Sequence, residues 1–416
     1  MSESPLEPSE LFTVVSPATA WARLALHLRP SGRTESVPLA AALGRVTGRA
    51  AASAADLPAF SRSTMDGFAV RAEDTYGASE GLPALLRVVG EVPMGRPSDL
   101  QLGRGEAALI HTGGSLPSGA DAVVMVENTQ RLGDEVELYR AVAAGENVVQ
   151  VGEDVRRGAE ILPAGHLLRP QDLGALAALG QLMVEVAARP RVAILATGDE
   201  VVAPEREPGP GQVRDANTSL LAGLVTRAGG EPLPLGIAPD DYPALFTLAQ
   251  RGLAAADALV VAAGSSVSTR DMTARAIREL GRPGPLVHGV ALRPGKPTIL
   301  AMADGKPVFG LPGNPVSTFT TAQIFLVPAI YRLLGLAQPP RPATTPARLT
   351  ANVPSAPGRE DYVPVRLIER EGDVMAEPVF GKSNLIFTTV RADGFLRVPL
   401  DLGGLPAGQM VEVILY

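Results

Sequence analysis

The chain has 416 residues, 46% of them apolar but only 4% aromatic, with 44 glycines, 38 prolines and a formal net charge of -7. That length exceeds one ordinary core and predicts about two to four domains, while the absence of a Lys/Arg block argues against nucleic acid or an anionic membrane surface as partner. The absence of cysteine excludes disulfides, thiolate nucleophiles and cysteine-ligated zinc or iron–sulfur sites.

The start, "MSESPLEPSELF", has acids and prolines where a signal peptide needs a basic end and an apolar run. No apolar run approaches the roughly 20 residues that span a bilayer, and a soluble, cytoplasmic protein is expected. Residues 14–28, "VVSPATAWARLALHL", carry apolar positions at helical spacing. From about 53 the texture changes to short strand-like runs broken by glycine: "DGFAV", "LLRVVGEV", "AALIHTGG", "ADAVVMVE" and "VELY". A second short helix is predicted at 168–180, "LRPQDLGALAALG". Helix, β region, helix is the pattern of a β-rich domain (53–148) inserted into an N-terminal mixed domain (1–52 plus 149–187).

From 189 strands and helices alternate. "RVAILAT", "PLPLGIA" and "ALVVAAG" are strands. "TSLLAGLVTRAGG", "PALFTLAQRGLAAA" and "MTARAIREL" are helices. "TILAMADGKPVFGL" is a hairpin through Asp-Gly, and "VSTFTTAQIFLVPAIYRLLG" a long helix. This order predicts an α/β domain over 188–336, its sheet parallel or mixed, with right-handed crossovers. The proline-rich stretch "AQPPRPATTPARL" (337–349) reads as a stiff linker. The remainder, 345–416, reads as a small domain of short strands, β-barrel-like.

Ligands of an open α/β sheet bind beyond the carboxyl ends of its strands, and there the polar residues collect. Gly198, Asp199 and Glu200 follow the first strand, and Asp240 and Asp241 the second. "SSVSTRD" follows the third and ends in Asp271, placed just before a helix. Ser317 follows "VFGLPGNP", at a helix start, and "RPGKP" lies ahead of the hairpin. Any one of these carboxylates alone could be an N-cap, but five loops converging on one rim point to a ligand. Arg293 and Lys296 supply charge-assisted donors for an anion. The acids make sense if a hard cation such as Mg²⁺ bridges them to phosphate. The composite is a site for a phosphate-bearing ligand plus a second small anion. The four histidines, His27, His111, His166 and His288, lack the i, i+4 spacing of a helical metal pair, and no Ser–His pairing for nucleophilic catalysis is visible.

"RSTMDGFAV" (62–70), "IHTGGSLPSGADAVVMVE" (110–127), "ATGDEVV" (196–202), "RPGKP" (293–297) and "GLPGNPVS" (310–317) together resemble the molybdopterin molybdenumtransferases, the MoeA-type enzymes that include the gephyrin E domain. The likeness covers essentially the whole chain. It implies an elongated, homodimeric, four-domain enzyme that converts adenylylated molybdopterin and molybdate to molybdenum cofactor and AMP with Mg²⁺. Its site would lie between the α/β domain of one subunit and the inserted domain of the other. Expected protein partners are the molybdopterin adenylyltransferase that supplies the substrate and the apo-molybdoenzymes that receive the product.

By resemblance, Asp66, Thr112, Asp154, Glu200, Asp240 (or its neighbour Asp241) and Asp271 are the functional acidic and polar positions, with Asp240 and Asp271 the candidates for Mg²⁺. Arg293, Lys296, Pro297 and Ser317 would form the oxyanion loops, which Arg359 of "GRED" and Ser383 of "GKSNLI" complete. Gly198 and Gly313 supply the tight turns beside the ligand. Two departures stand out: many members have Lys where this chain has Arg293, and "GSSVSTRD" replaces a Gly-Gly-Val-Ser loop. Alternatives are a molybdopterin adenylyltransferase, which shares the α/β domain type, or a binding-only scaffold.

Overall fold

A computed structural model describes residues 14–263 and 267–416. The acidic start and the Gly264–Ser266 part of the variant loop lie outside the described residues.

The N-terminal helix Pro17–Ala25 is capped by Ser16, whose hydroxyl accepts from the Thr19 N–H at 3.1 Å, and it buries Ala20 and Leu24. Beyond it, flanks far apart in sequence are sewn together by short antiparallel ladders. Thr34–Pro38 pairs with Met183–Ala187, Ala51–Ala52 with Glu160–Leu162, and Arg62–Ser63 with Val148–Val149. The chain thus leaves and returns side by side, as an insertion must. Between the innermost pair lies a six-stranded sheet in the order Ala122–Met125, Gly67–Val70, Glu106–Ile110, Ala84–Glu91, Glu135–Leu138, Thr129–Leu132. The last of these is a strand that its sequence, "TQRL", does not announce; it is half-buried or exposed throughout and forms the edge.

The α/β unit contains β1 (Arg191–Thr197), α1 (Asn217–Arg227), β2 (Glu231–Ala238), α2 (Tyr242–Ala255), β3 (Ala258–Ala263), α3 (Val267–Glu279), β4 (Pro283–His288), β5 (Ile299–Ala303), β6 (Lys306–Pro312) and α4 (Pro315–Thr321). The sheet order is β2-β1-β3-β6-β5-β4, parallel through β6 and antiparallel across the last three strands. Alternate residues of each central strand feed opposite cores. Val192, Ile194 and Val260 pack on one face, Ala193, Leu195, Leu259 and Val261 on the other, which is why these strands read as unbroken apolar runs. The β5–β6 hairpin turns on Asp304 and Gly305, both at positive φ (49° and 86°), as an Asp-Gly type I′ turn requires. The long helix expected after β6 is interrupted by a π-helical segment, Ala322–Leu326, before Val327–Leu333. The widened turn seats Pro328, which has no N–H for an α-helical ladder.

The C-terminal strands Thr344–Leu349, Glu360–Arg370, Asp373–Pro378, Gly394–Val398 and Met410–Leu415 close into a barrel. Its first strand begins inside the stretch read as linker, and its second runs for 11 residues rather than being short. One strand comes from outside the barrel. Leu292–Arg293, from the α/β unit, joins in parallel, with Leu292 opposite Glu360 and Arg293 opposite Asp361.

Candidate active site

A cleft of about 610 Å³ lies along this seam. Its walls carry Arg293, Lys296 and Pro297 from the loop before β5, and Ser317 from the start of α4. Asp361 comes from the barrel's long strand and Arg359 from the bend just before it, and Lys382 and Ser383 come from the loop after Asp373–Pro378. The "RPGKP" loop is held shut from within. The Val290 N–H donates to the Lys296 carbonyl at 2.9 Å, and the Thr298 hydroxyl to the Gly295 carbonyl at 2.7 Å. Gly295 sits at φ +119°, where a Cβ would lie 2.4 Å from Thr321 Cγ2. Only glycine fits this approach. The result leaves Arg293 and Lys296 exposed on a rigid support.

Ser317 is buried. Ser383 is anchored twice: Asn314 Nδ2 donates to its hydroxyl oxygen at 3.0 Å, and its own carbonyl accepts from the Val316 N–H at 3.0 Å. With one lone pair taken, the Ser383 hydroxyl keeps its proton for another acceptor. Six of the residues expected to bind oxyanion (Arg293, Lys296, Pro297, Ser317, Arg359 and Ser383) thus meet in one cleft.

The acids occupy the adjoining sheet edge. Gly198, at φ +132°, turns the chain beyond β1, and its missing Cβ leaves room for the Glu200 carboxylate, which would lie 2.5 Å from it. The Asp199 carboxylate accepts the Asp240 N–H at 3.0 Å and ties the β1 and β2 loops together. Asp240 and Asp241 differ in their geometry. Asp241 caps α2, accepting the Ala244 N–H at 3.0 Å, whereas the exposed Asp240 carboxylate accepts no hydrogen bond among the described residues. Asn217 Nδ2 donates to the Gly313 carbonyl at 2.7 Å and fixes the β6 turn.

Asp271 is exposed but does not precede a helix, as its sequence suggested; α3 begins at Val267 and contains it. It lines a smaller cavity of about 180 Å³ with Arg270 and His288, which shares Pro297 and Pro312 with the cleft. Burial pushes the His288 imidazole below its ordinary value, helped by Arg278 and opposed by Asp271. Among the described residues no three of His, Asp and Glu gather closely enough to hold a metal ion unaided.

Asp66 and Thr112 stand apart, in the inserted sheet. The Asp66 carboxylate accepts both the backbone N–H and the hydroxyl of Thr112, at 2.7 and 3.1 Å. These bonds hold its carboxyl below the usual range, with a smaller contribution from His111, whose Nδ1 lies 3.7 Å away. Asp154 is exposed in a bend whose backbone N–H reaches the Leu57 carbonyl at 3.1 Å. Neither the pair nor Asp154 lines the cleft.

Asp361, Asn314 and Lys382 line the cleft but were missed from sequence. For Asp361 a signal was present: it stands two residues from Arg359 in "GRED", close enough along the chain for the two side chains to pair.

Three family models cover nearly the whole chain: the MoeA N-terminal region (domains I and II) at residues 15–180, the probable molybdopterin-binding domain at 193–332, and the MoeA C-terminal region (domain IV) at 346–416. The chain is 33% identical to the molybdopterin molybdenumtransferase of Bacillus subtilis over 398 residues, covering 94% of this chain and 92% of that protein. It is 37% identical to the enzyme of that name from Nostoc over 335 residues, 79% and 76% of the two chains. A crystal structure of a molybdopterin biosynthesis MoeA protein from Pyrococcus horikoshii superposes with a TM-score of 0.84 at 31% identity, covering 97% of this chain and all of that one. With both flanking regions and the central domain matched in order, the chain belongs to the MoeA family of molybdopterin molybdenumtransferases.

Proposed function

We propose that this protein inserts molybdenum, converting adenylylated molybdopterin and molybdate to molybdenum cofactor and AMP. The observation that carries this reading is the convergence of Arg293, Lys296, Ser317, Arg359 and Ser383 on one cleft. Cations and hydroxyls on a stiff frame suit a tetrahedral dianion, and the adjoining acid rim suits a polyphosphate-bearing partner with its counter-ion. Lys296, Arg293 and Arg359 would neutralise molybdate while the Ser383 and Ser317 hydroxyls orient its oxygens. The protein's contribution is then positioning and charge neutralisation in a preformed site, with no covalent enzyme intermediate.

Asp240 and Asp271 would hold Mg²⁺. Mg²⁺ characteristically takes one or two carboxylates and completes its shell with water and substrate phosphate, which suits an exposed Asp240 whose side chain accepts no hydrogen bond among the described residues. When bound, the ion would supply charge neutralisation at the phosphoanhydride. Asp66 and Thr112 enter the proposal through a second copy of the chain, as a homodimer with the inserted domain of one subunit facing the α/β unit of the other. Exposed Phe60, Met65 and Met94 in the inserted region suit such a contact. We place the reaction in the cytoplasm, supplied by an adenylyltransferase and drained by apo-molybdoenzymes; no helix among the described residues is long and apolar enough to cross a membrane.

Single-turnover release of AMP from adenylylated molybdopterin tests this reading. Release that depends on molybdate and reconstitutes an apo-molybdoenzyme is expected. Adenylylation of molybdopterin by ATP would instead establish the transferase of the preceding step, and pterin binding without turnover a scaffold.

A further inference from the structure

Asp361 is a carboxylate where an oxyanion site should not want one. It is only 3% exposed and lines the cleft among Arg293, Lys296, Arg359 and Lys382. Electrostatics alone makes its negative charge a penalty for binding a dianion. Its bonds give it another use. Arg359 lies side-on against it, Nε to Oδ1 at 2.8 Å and Nη2 to Oδ2 at 3.4 Å, and Arg293 Nη1 lies 3.7 Å from the same Oδ2. Arg293 belongs to the α/β unit, Asp361 to the barrel strand and Arg359 to the bend that leads into it. The parallel pairing that sets Arg293 opposite Asp361 fixes all three in register.

A guanidinium presents five N–H donors in a planar fork. When one edge is occupied by a buried carboxylate, the plane is fixed and the remaining donors keep one direction. An arginine without that partner is a flexible side chain that loses rotamer freedom on binding. The geometry points to Asp361 as a positioning residue: it spends the inner edge of Arg359 and restrains Arg293, so that both cations meet the oxyanion already oriented across the seam. This rests on the reading of the cleft as the molybdate site.

The two effects of Asp361 differ in sign, which makes the inference testable. Asp361→Asn is isosteric and makes the cleft one unit more positive. Charge alone therefore expects tighter molybdate binding, and positioning expects weaker. The experiment is calorimetric titration of the full chain with molybdate alone at fixed ionic strength, with a thermal melt of each variant. The expected result is affinity lowered by about tenfold, the scale of one misdirected charge-assisted hydrogen bond, and a smaller loss when the substitution is made on top of Arg359→Ala. Unchanged or tighter binding by a folded Asp361→Asn would overturn the inference while leaving the molybdate site intact. If that variant does not fold, Arg359→Lys decides. It keeps the charge without the fork, so it is expected to bind molybdate more weakly than the unsubstituted chain, and binding at the unsubstituted level would overturn the role. Failure of the unsubstituted chain to bind molybdate would overturn the functional reading, and this inference with it.

Discussion

Asn314 donates its side-chain N–H to the hydroxyl oxygen of Ser383 at 3.0 Å, across the seam between the α/β unit and the barrel loop. The bond occupies a lone pair of the serine oxygen and leaves its one proton free to donate elsewhere. Ser383→Ala is therefore expected to weaken molybdate binding by about fivefold to tenfold, the worth of one hydrogen bond to an anion, and Asn314→Ala by less. Titration with molybdate, alongside melting curves that exclude unfolding, checks both values. Equal binding by Ser383→Ala would remove the serine from the site.

Lys296→Ala removes an exposed charge and no packing, so the melting temperature should be unchanged while molybdate affinity falls by about tenfold or more. An unaltered affinity would mean that the anion sits elsewhere in the cleft.

Gly295→Ala tests the rigidity of the same loop. The added methyl would meet Thr321 Cγ2 at 2.4 Å and Leu292 Cδ1 at 2.7 Å, in a backbone conformation that side chains rarely adopt. Displacing the loop moves Arg293 and Lys296 together. The variant should be destabilised by about 1–3 kcal/mol in chemical denaturation and should lose more molybdate affinity than Lys296→Ala does.

Asp66 should titrate below its ordinary carboxylate value. Its strongest bond comes from the Thr112 backbone, the next from the Thr112 hydroxyl. Thr112→Val keeps the first and removes the second. An NMR titration of the carboxyl carbon should therefore show a partial upward shift that stops short of the ordinary carboxylate value. A full return to that value would mean that the hydroxyl, not the backbone, governs the group.

A pH-dependent part of the stability resides at a different place. Asp172 is buried and held far below its ordinary value of 3.8, first by Arg169 and then by His166. A depressed carboxyl contributes stability above its unfolded value and loses it as pH falls through the folded one. Asp172→Asn should thus cost about 1–3 kcal/mol at neutral pH, and the difference from the unsubstituted protein should shrink as pH falls below 3.8. Denaturant curves at several pH values measure this; a constant difference would exclude linkage to Asp172.

The sheet was readable because its strands are buried on both faces and its turns carry their own chemistry, Asp304-Gly305 above all. The loops that meet in the cleft were readable from glycine, proline and cation spacing together with the family likeness. What escaped reading lay in contacts between distant segments. "SSVSTRD" looks like a loop because Ser and Thr favour turns and caps in isolation, yet α3 begins at Val267, seating Ala274 and Ile277 in the core. Asp240 and Asp241 are chemically alike, and only the cap at Ala244 separates them. Asp361 escaped because the strand that lies beside it, Leu292–Arg293, comes from another unit.

That strand, Leu292–Arg293, has a mechanical consequence. Two backbones that share a ladder cannot slide or swing apart without unzipping it, so the α/β unit and the barrel form one jaw rather than two. The cleft is then reached from the side away from the ladder, past the loop bearing Phe380 and Lys382. Removing the barrel to obtain a smaller enzyme would leave one half of the jaw with a bare strand edge and scattered cations.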